Sequence, residues 1–181
     1  MVIKNILISI VFLILFNGCS SLAKVEIIDD SVKKIDRIAY IKKSDVTKTS
    51  SDFGRTFGLM FPINVDLGQG LKNYADLYFS KVKVIDPSKS NDGGVHLSLK
   101  SFDIIDSYGL AGVTGFSSVI EIHVVVNDKD NRQLLSKSYK AKGNLARNSS
   151  AHSVAVRNME YTSGDAFQKV FLKIKDDLNS L

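Results

Sequence analysis

Residues 66–85 read DLGQGLKNYADLYFSKVKVI. Leu67, Leu71, Tyr74, Ala75 and Tyr78 fall on one face of a 3.6-residue period, while Lys72, Asn73 and Asp76 lie outside it, so the stretch predicts an amphipathic helix. Asp66 with Gln69 makes a capping-box-like start. Lys81 to Ile85 then reads as a strand fed directly from the helix and stopped by Asp86 and Pro87. Upstream, Ile35 to Ile41 is short and rich in β-branched and aromatic residues, and the polar run Lys42 to Asp52 ends it. Strand, helix and strand form a βαβ unit, whose strands are expected to run parallel through a right-handed crossover.

Downstream the pattern turns to strands. Val95, Leu97 and Leu99 alternate with His96, Ser98 and Lys100 before the phase shifts to Phe102 and Ile104, which predicts a bulge near Ser101. A glycine-bearing loop from Ser107 to Gly115 leads into Val119 to Val126, and Leu134 to Lys142 returns after the polar turn Asn127 to Arg132. These three strands are expected to be antiparallel. Residues 143–164 fit a loop or a short helix. Thr162 and Asp165 read as a capping box for a last helix whose stripe is Phe167, Val170, Phe171, Ile174 and Leu178. The element order β-α-β-β-β-β-α implies an α+β fold, a mixed and mostly antiparallel sheet with two helices packed on one face.

The chain has 181 residues, 44% hydrophobic and 24% charged, with one cysteine and two prolines, the profile of a single globular domain. One cysteine excludes an internal disulfide framework and a cysteine-built metal site, and three histidines make a His-rich centre unexpected. Lys4 precedes the apolar run Ile6 to Phe16, broken by Ser9 alone and followed by Asn17, Gly18, Cys19, Ser20 and Ser21. A spanning helix needs about 20 apolar residues, so the run reads as the core of a signal peptide. The boundary resembles the lipobox of bacterial lipoprotein precursors, in which a small residue precedes a cysteine that is lipidated and becomes the mature N-terminus. Gly18 and Cys19 match it; Phe16 and Asn17 depart from the Leu and small residue that the family prefers. The alternative is a conventional signal peptide with an incidental cysteine. The resemblance divides the chain into a signal peptide (1–18), a tether (19–34) and one α+β domain (35–181).

Loss of residues 1–18 removes Lys4 and takes the net charge from +5 to +4. Cations and acids alternate along the chain, which argues against a nucleic-acid partner and leaves at most a weak attraction to anionic envelope polymers. No H-E-x-x-H, G-x-S-x-G or P-loop spacing occurs. His96 and His123 read as solvent-facing strand residues, and Asp103 with Asp106 as capping residues at a strand end. Gly109, Gly112 and Gly115 lack the Gly-Lys-Ser/Thr of a phosphate loop, so conformational freedom explains them better. No catalytic residue, metal or cofactor is assigned.

One apolar segment has neither strand nor helix period: Phe53, Phe57, Leu59, Met60, Phe61 and Ile63, interrupted by two glycines and a proline. It reads equally as core or, if exposed, as a partner-docking patch flanked by the Tyr108 to Phe116 loop. Lipobox and element order together, over most of residues 35–180, resemble small envelope lipoproteins of the YajG type. Similar order occurs in accessory lipoproteins of envelope assembly complexes, such as the lipopolysaccharide-transport lipoprotein and penicillin-binding-protein activators. The resemblance implies a non-enzymatic, membrane-tethered interaction domain with an envelope protein partner. Ser20, where an aspartate would resemble an inner-membrane retention signal, implies the periplasmic face of the outer membrane. A lipid-anchored enzyme or small-ligand carrier is the second reading.

Overall fold

The computed structural model describes residues 21–50, 63–86, 93–109, 112–147 and 152–181. In chain order the elements are β1 (Ser21–Lys24), β2 (Ile35–Lys42), α1 (Lys43–Val46), β3 (Ile63–Asp66), α2 (Leu67–Tyr78), β4 (Phe79–Ile85), β5 (Gly94–Gly109), β6 (Gly112–Asn127), β7 (Gln133–Lys142), β8 (Ala146–Arg147) and α3 (His152–Asn179). The main sheet has the order β4-β2-β5-β6-β7, with β8 pairing along β6 past the end of β7. β2 runs parallel to both β4 and β5, and β5, β6 and β7 are antiparallel. The mixed α+β architecture and the parallel pairing within the βαβ unit are as the pattern implied.

Helix α2 buries the expected face, Leu67, Leu71, Tyr74, Ala75 and Tyr78, and the Asp66 carboxylate accepts from the Gln69 N–H at 3.1 Å. Helix α3 buries Phe167, Val170, Phe171, Ile174 and Leu178. The two helices meet through rings: Tyr74 stacks on Phe167 at 5.5 Å between centroids, and Phe171 lies 5.8 Å from Tyr74 and 5.3 Å from Tyr78. Beneath them the alternating sheet residues Val95, Leu97, Leu99, Ile120, Ile122, Val124 and Val126 complete one core. The register of β5 on β6 shifts between Leu99 and Ser101, the site of the predicted bulge.

Four expectations are corrected. The tether begins as structure: β1 pairs in parallel with β3, and Ala23 and Val25 are buried. Its partners, β3 and α3, lie far along the chain, so its short pattern had no local neighbour to announce it. The loop from Ser107 to Gly115 is instead the end of a long hairpin, paired as far as Gly109 and Gly112. Asp103 and Asp106 accordingly sit within a strand, opposite Val119 and Phe116, and not at its end.

The last helix starts at His152, so Thr162 and Asp165 are interior residues and cap nothing. They are tolerated in a buried helix face because each is satisfied across the packing interface. The Thr162 hydroxyl accepts from the Ser118 N–H at 3.1 Å and donates to the Asn144 carbonyl at 2.9 Å. Asp165 accepts from the Asn144 N–H at 2.6 Å and from the Lys169 ammonium at 2.7 Å. Lys169 and Lys173 also donate to the carbonyls of Lys142 and Lys140, capping β7, the last strand of the sheet, against edge pairing.

Gly164 permits the close approach of α3 to the entering chain: a Cβ there would stand 2.1 Å from the Glu26 carbonyl oxygen. Backbone on both sides leaves no flexible group to give way. Gly164→Ala is therefore expected to lower unfolding stability by about 1–3 kcal/mol and to raise amide exchange at residues 24–28. Urea denaturation with native-state hydrogen exchange measures both, and an unchanged midpoint with intact protection would show that the contact relaxes freely.

Candidate functional site

Cys19, Gly18 and Ser20 lie outside the described residues, and the described chain starts at Ser21, two positions beyond the cysteine. From there the backbone is held at once. The Lys24 N–H donates to the Glu160 carboxylate at 3.0 Å, and the Glu26 N–H to the Glu160 carbonyl at 3.3 Å. The Tyr74 hydroxyl lies 2.9 Å from the Glu26 carbonyl and 2.8 Å from that of Gly164, either of which can take its proton, and it accepts from the Ile28 N–H at 3.4 Å. Burial raises the Tyr74 hydroxyl well above the usual phenol range, and Tyr78, also desolvated, is pushed up to about 12. Tyr74 therefore stays a neutral hydrogen-bonding group, whereas the buried Tyr78 hydroxyl has no hydrogen-bond partner among the described residues. Together these contacts lock residues 24–28 between α2 and α3.

Phe53, Phe57, Leu59, Met60 and Phe61 also lie outside the described residues. Ile63 and Phe116, assigned to the same docking patch, do not belong to it. Both are fully buried, Ile63 in β3 opposite Ser21 and Phe116 in β6 opposite Ala146. A long apolar side chain beginning a central pair of short strands is more stable beneath the helices than in water. Tyr108 occupies a backbone position opposite Val113 near the tip of the β5–β6 hairpin.

Clefts lined by described residues open on the helical side. One of about 340 Å³, between β7 and the end of α3, is lined by Lys137, Ser138, Tyr139, Lys140, Lys173, Asp176 and Asp177. Three of its side chains are engaged with one another: Asp177 accepts from Lys137 at 2.5 Å and from the Tyr139 hydroxyl at 2.8 Å. These two donors hold the Asp177 carboxyl below the usual carboxylate range, while burial raises Tyr139. An ionised acid tied to two donors makes a clamp between strand and helix and offers no proton to a substrate. The other cleft, of about 250 Å³, lies beside β1 and is lined by Lys24, Val25, Asp66, Gln69, Gly70 and Asn73.

The opposite sheet face carries His96 and His123, as expected. His96 stacks on Tyr40 at 5.0 Å, with the Lys83 ammonium 5.4 Å from the same ring, and His123 shares hydrogen bonds with Ser138 and Ser136. Among the described residues no three His, Cys, Asp or Glu side chains gather as metal ligands would, and no helix is long and apolar enough to cross a membrane. Sequence reasoning missed the N-terminal strand Ser21–Lys24, which offers only four residues of pattern.

No protein-family model matches the chain, and no curated protein sequence matches it. Among solved structures the chain is similar to a minor lipoprotein from Acinetobacter baumannii, with 10% identity, a TM-score of 0.43, and coverage of 78% of this chain and 94% of that one. It is also similar to the rare lipoprotein B from Shewanella oneidensis, with 14% identity, a TM-score of 0.40, and coverage of 78% and 98%. An uncharacterized lipoprotein B from Nitrosomonas europaea overlaps with 14% identity, a TM-score of 0.41, and coverage of 88% and 90%. At these TM-scores the likenesses assign this chain no role.

Proposed function

We propose that the protein is a lipid-anchored envelope protein of a diderm bacterium, carrying acyl chains on Cys19 and acting as a non-enzymatic binding or accessory module of an envelope assembly complex, in the manner of YajG-type lipoproteins. The observation that carries the reading is the Gly18–Cys19 pair at the end of the apolar run Ile6 to Phe16, with the chain's one cysteine at that boundary. Ser20 directs the anchored domain to the periplasmic face of the outer membrane.

Envelope fractionation tests the reading and its sorting step together. The wild-type chain is expected with the outer membrane and Ser20→Asp with the inner membrane. Both chains remaining in the inner membrane would contradict outer-membrane sorting, and protease cleavage in intact cells would contradict a periplasm-facing domain. Cross-linking in whole envelopes, followed by capture of the tagged chain, then identifies the envelope protein it serves.

A further inference from the structure

We infer that the free edge of β4 takes an extended segment of a partner protein, one that alternates apolar and acidic residues, as a further strand of the main sheet; this deepens the proposed binding role and rests on it. Strand β4 (Phe79–Ile85) comes first in the sheet order β4-β2-β5-β6-β7, and among the described residues it ladders with β2 alone. Alternate N–H and C=O groups along its outer side therefore meet no described strand, and such a row is the template on which strand addition builds. The far edge of the sheet differs, since Lys169 and Lys173 donate to the β7 carbonyls of Lys142 and Lys140 and close it.

The side chains of β4 select what can pair with it. Its register sets Val82 opposite Ala39 and Val84 opposite Ile41 on the helical face, and Lys81 opposite Ile38 and Lys83 opposite Tyr40 on the other. Val82 packs against the core, but Val84 is 44% exposed, so the edge leaves apolar area that a neighbouring strand would cover. Lys81, Lys83 and, at the end of β2, Lys42 pair with no carboxylate among the described residues, and β4 itself contains no acid.

A strand with apolar residues beside Val82 and Val84 and acids beside Lys81 and Lys83 complements both faces at once. A second copy does not. Antiparallel pairing of β4 with itself would set lysines opposite lysines, and like charges facing across a ladder repel. A disordered polyanion would meet the lysines but leave Val84 and the backbone edge in water. The open backbone, the apolar row and the unpaired cations together fit an acidic strand.

The full mature chain in detergent micelles is titrated with three fluorescein-labelled peptides. The acidic one is Thr-Val-Glu-Val-Glu-Val-Thr, the basic one replaces Glu by Lys, and the third, Gly-Gly-Glu-Gly-Glu-Gly-Gly, carries the same acids without strand propensity. The acidic strand peptide is expected to bind at least about tenfold more tightly than either of the others, and to protect backbone amides of residues 79–85 from exchange. The double variant Lys81→Glu/Lys83→Glu is expected to prefer the basic peptide instead, a reversal that an unfolded chain would not give. Equal binding of the glycine peptide would mean polyanion attraction without strand addition, and equal binding of the basic peptide would mean that charge does not select. Protection confined to other strands would put the site elsewhere. Each of these results overturns the proposal, and so does an unchanged preference in the double variant. Absence of binding overturns the edge alone, because the binding-module reading fails separately, when cross-linking in whole envelopes captures no partner.

Discussion

Cys19→Ser is expected to take up no acyl-chain probe and to move from the membrane to the soluble fraction. A serine hydroxyl cannot form the thioether, and the chain holds no other cysteine to which the label could shift. Each buried methylene contributes about 0.8 kcal/mol, and a single acyl chain binds only marginally, so stable anchoring requires at least two chains. Losing all of them removes the proposed anchor. Metabolic labelling followed by flotation measures both effects. Label persisting in Cys19→Ser would place the lipid elsewhere.

Phe171→Ala is expected to lower the free energy of unfolding by about 3–5 kcal/mol, a large share of the roughly 5–15 kcal/mol that holds a domain of this kind together. Phe171 is fully buried and contacts both Tyr74 and Tyr78, so with Phe167 it joins α3 to α2. Truncation removes its transfer energy and leaves a cavity between two helices that a hydrogen-bonded Tyr74 cannot move to fill. Equilibrium urea unfolding gives the value, and thermal unfolding should fall by about 10 °C at this chain length. A loss below about 1 kcal/mol would mean that the helices close the gap and that the aromatic cluster is not the centre of the core.

Helix α2 and the later turns of α3 were legible because their apolar residues repeat at 3.6 and face a continuous core, and the β5 bulge because a phase shift in a period of 2 has few other causes. The first half of α3 was not. Thr162 read as a helix cap, but it and Ser163 are buried inside the helix, satisfied by Ser118 and Asn144 some 18 to 45 residues away in sequence. The hairpin tip failed for a different reason: Gly109, Gly112 and Gly115 suggest a loop by composition, yet at Gly115 the missing side chain lets the backbone of Ala146 come close enough to pair. The proposed anchoring site at Gly18 and Cys19 rests on sequence alone, since a covalent motif needs no tertiary contact and both residues lie outside the described ones. Ile63 was misassigned because an aperiodic apolar segment looks the same from sequence whether it meets a partner or its own core, and Phe116 because the glycine-bearing stretch before it reads as a loop and not as strand β6.

The mass of the N-terminal peptide of the mature protein, isolated from envelopes, tests the anchoring most directly. A peptide beginning at Cys19 and carrying a diacylglyceryl group with an acylated amine is the expected species. A peptide that begins elsewhere, or one that carries Cys19 as a free thiol, would contradict it.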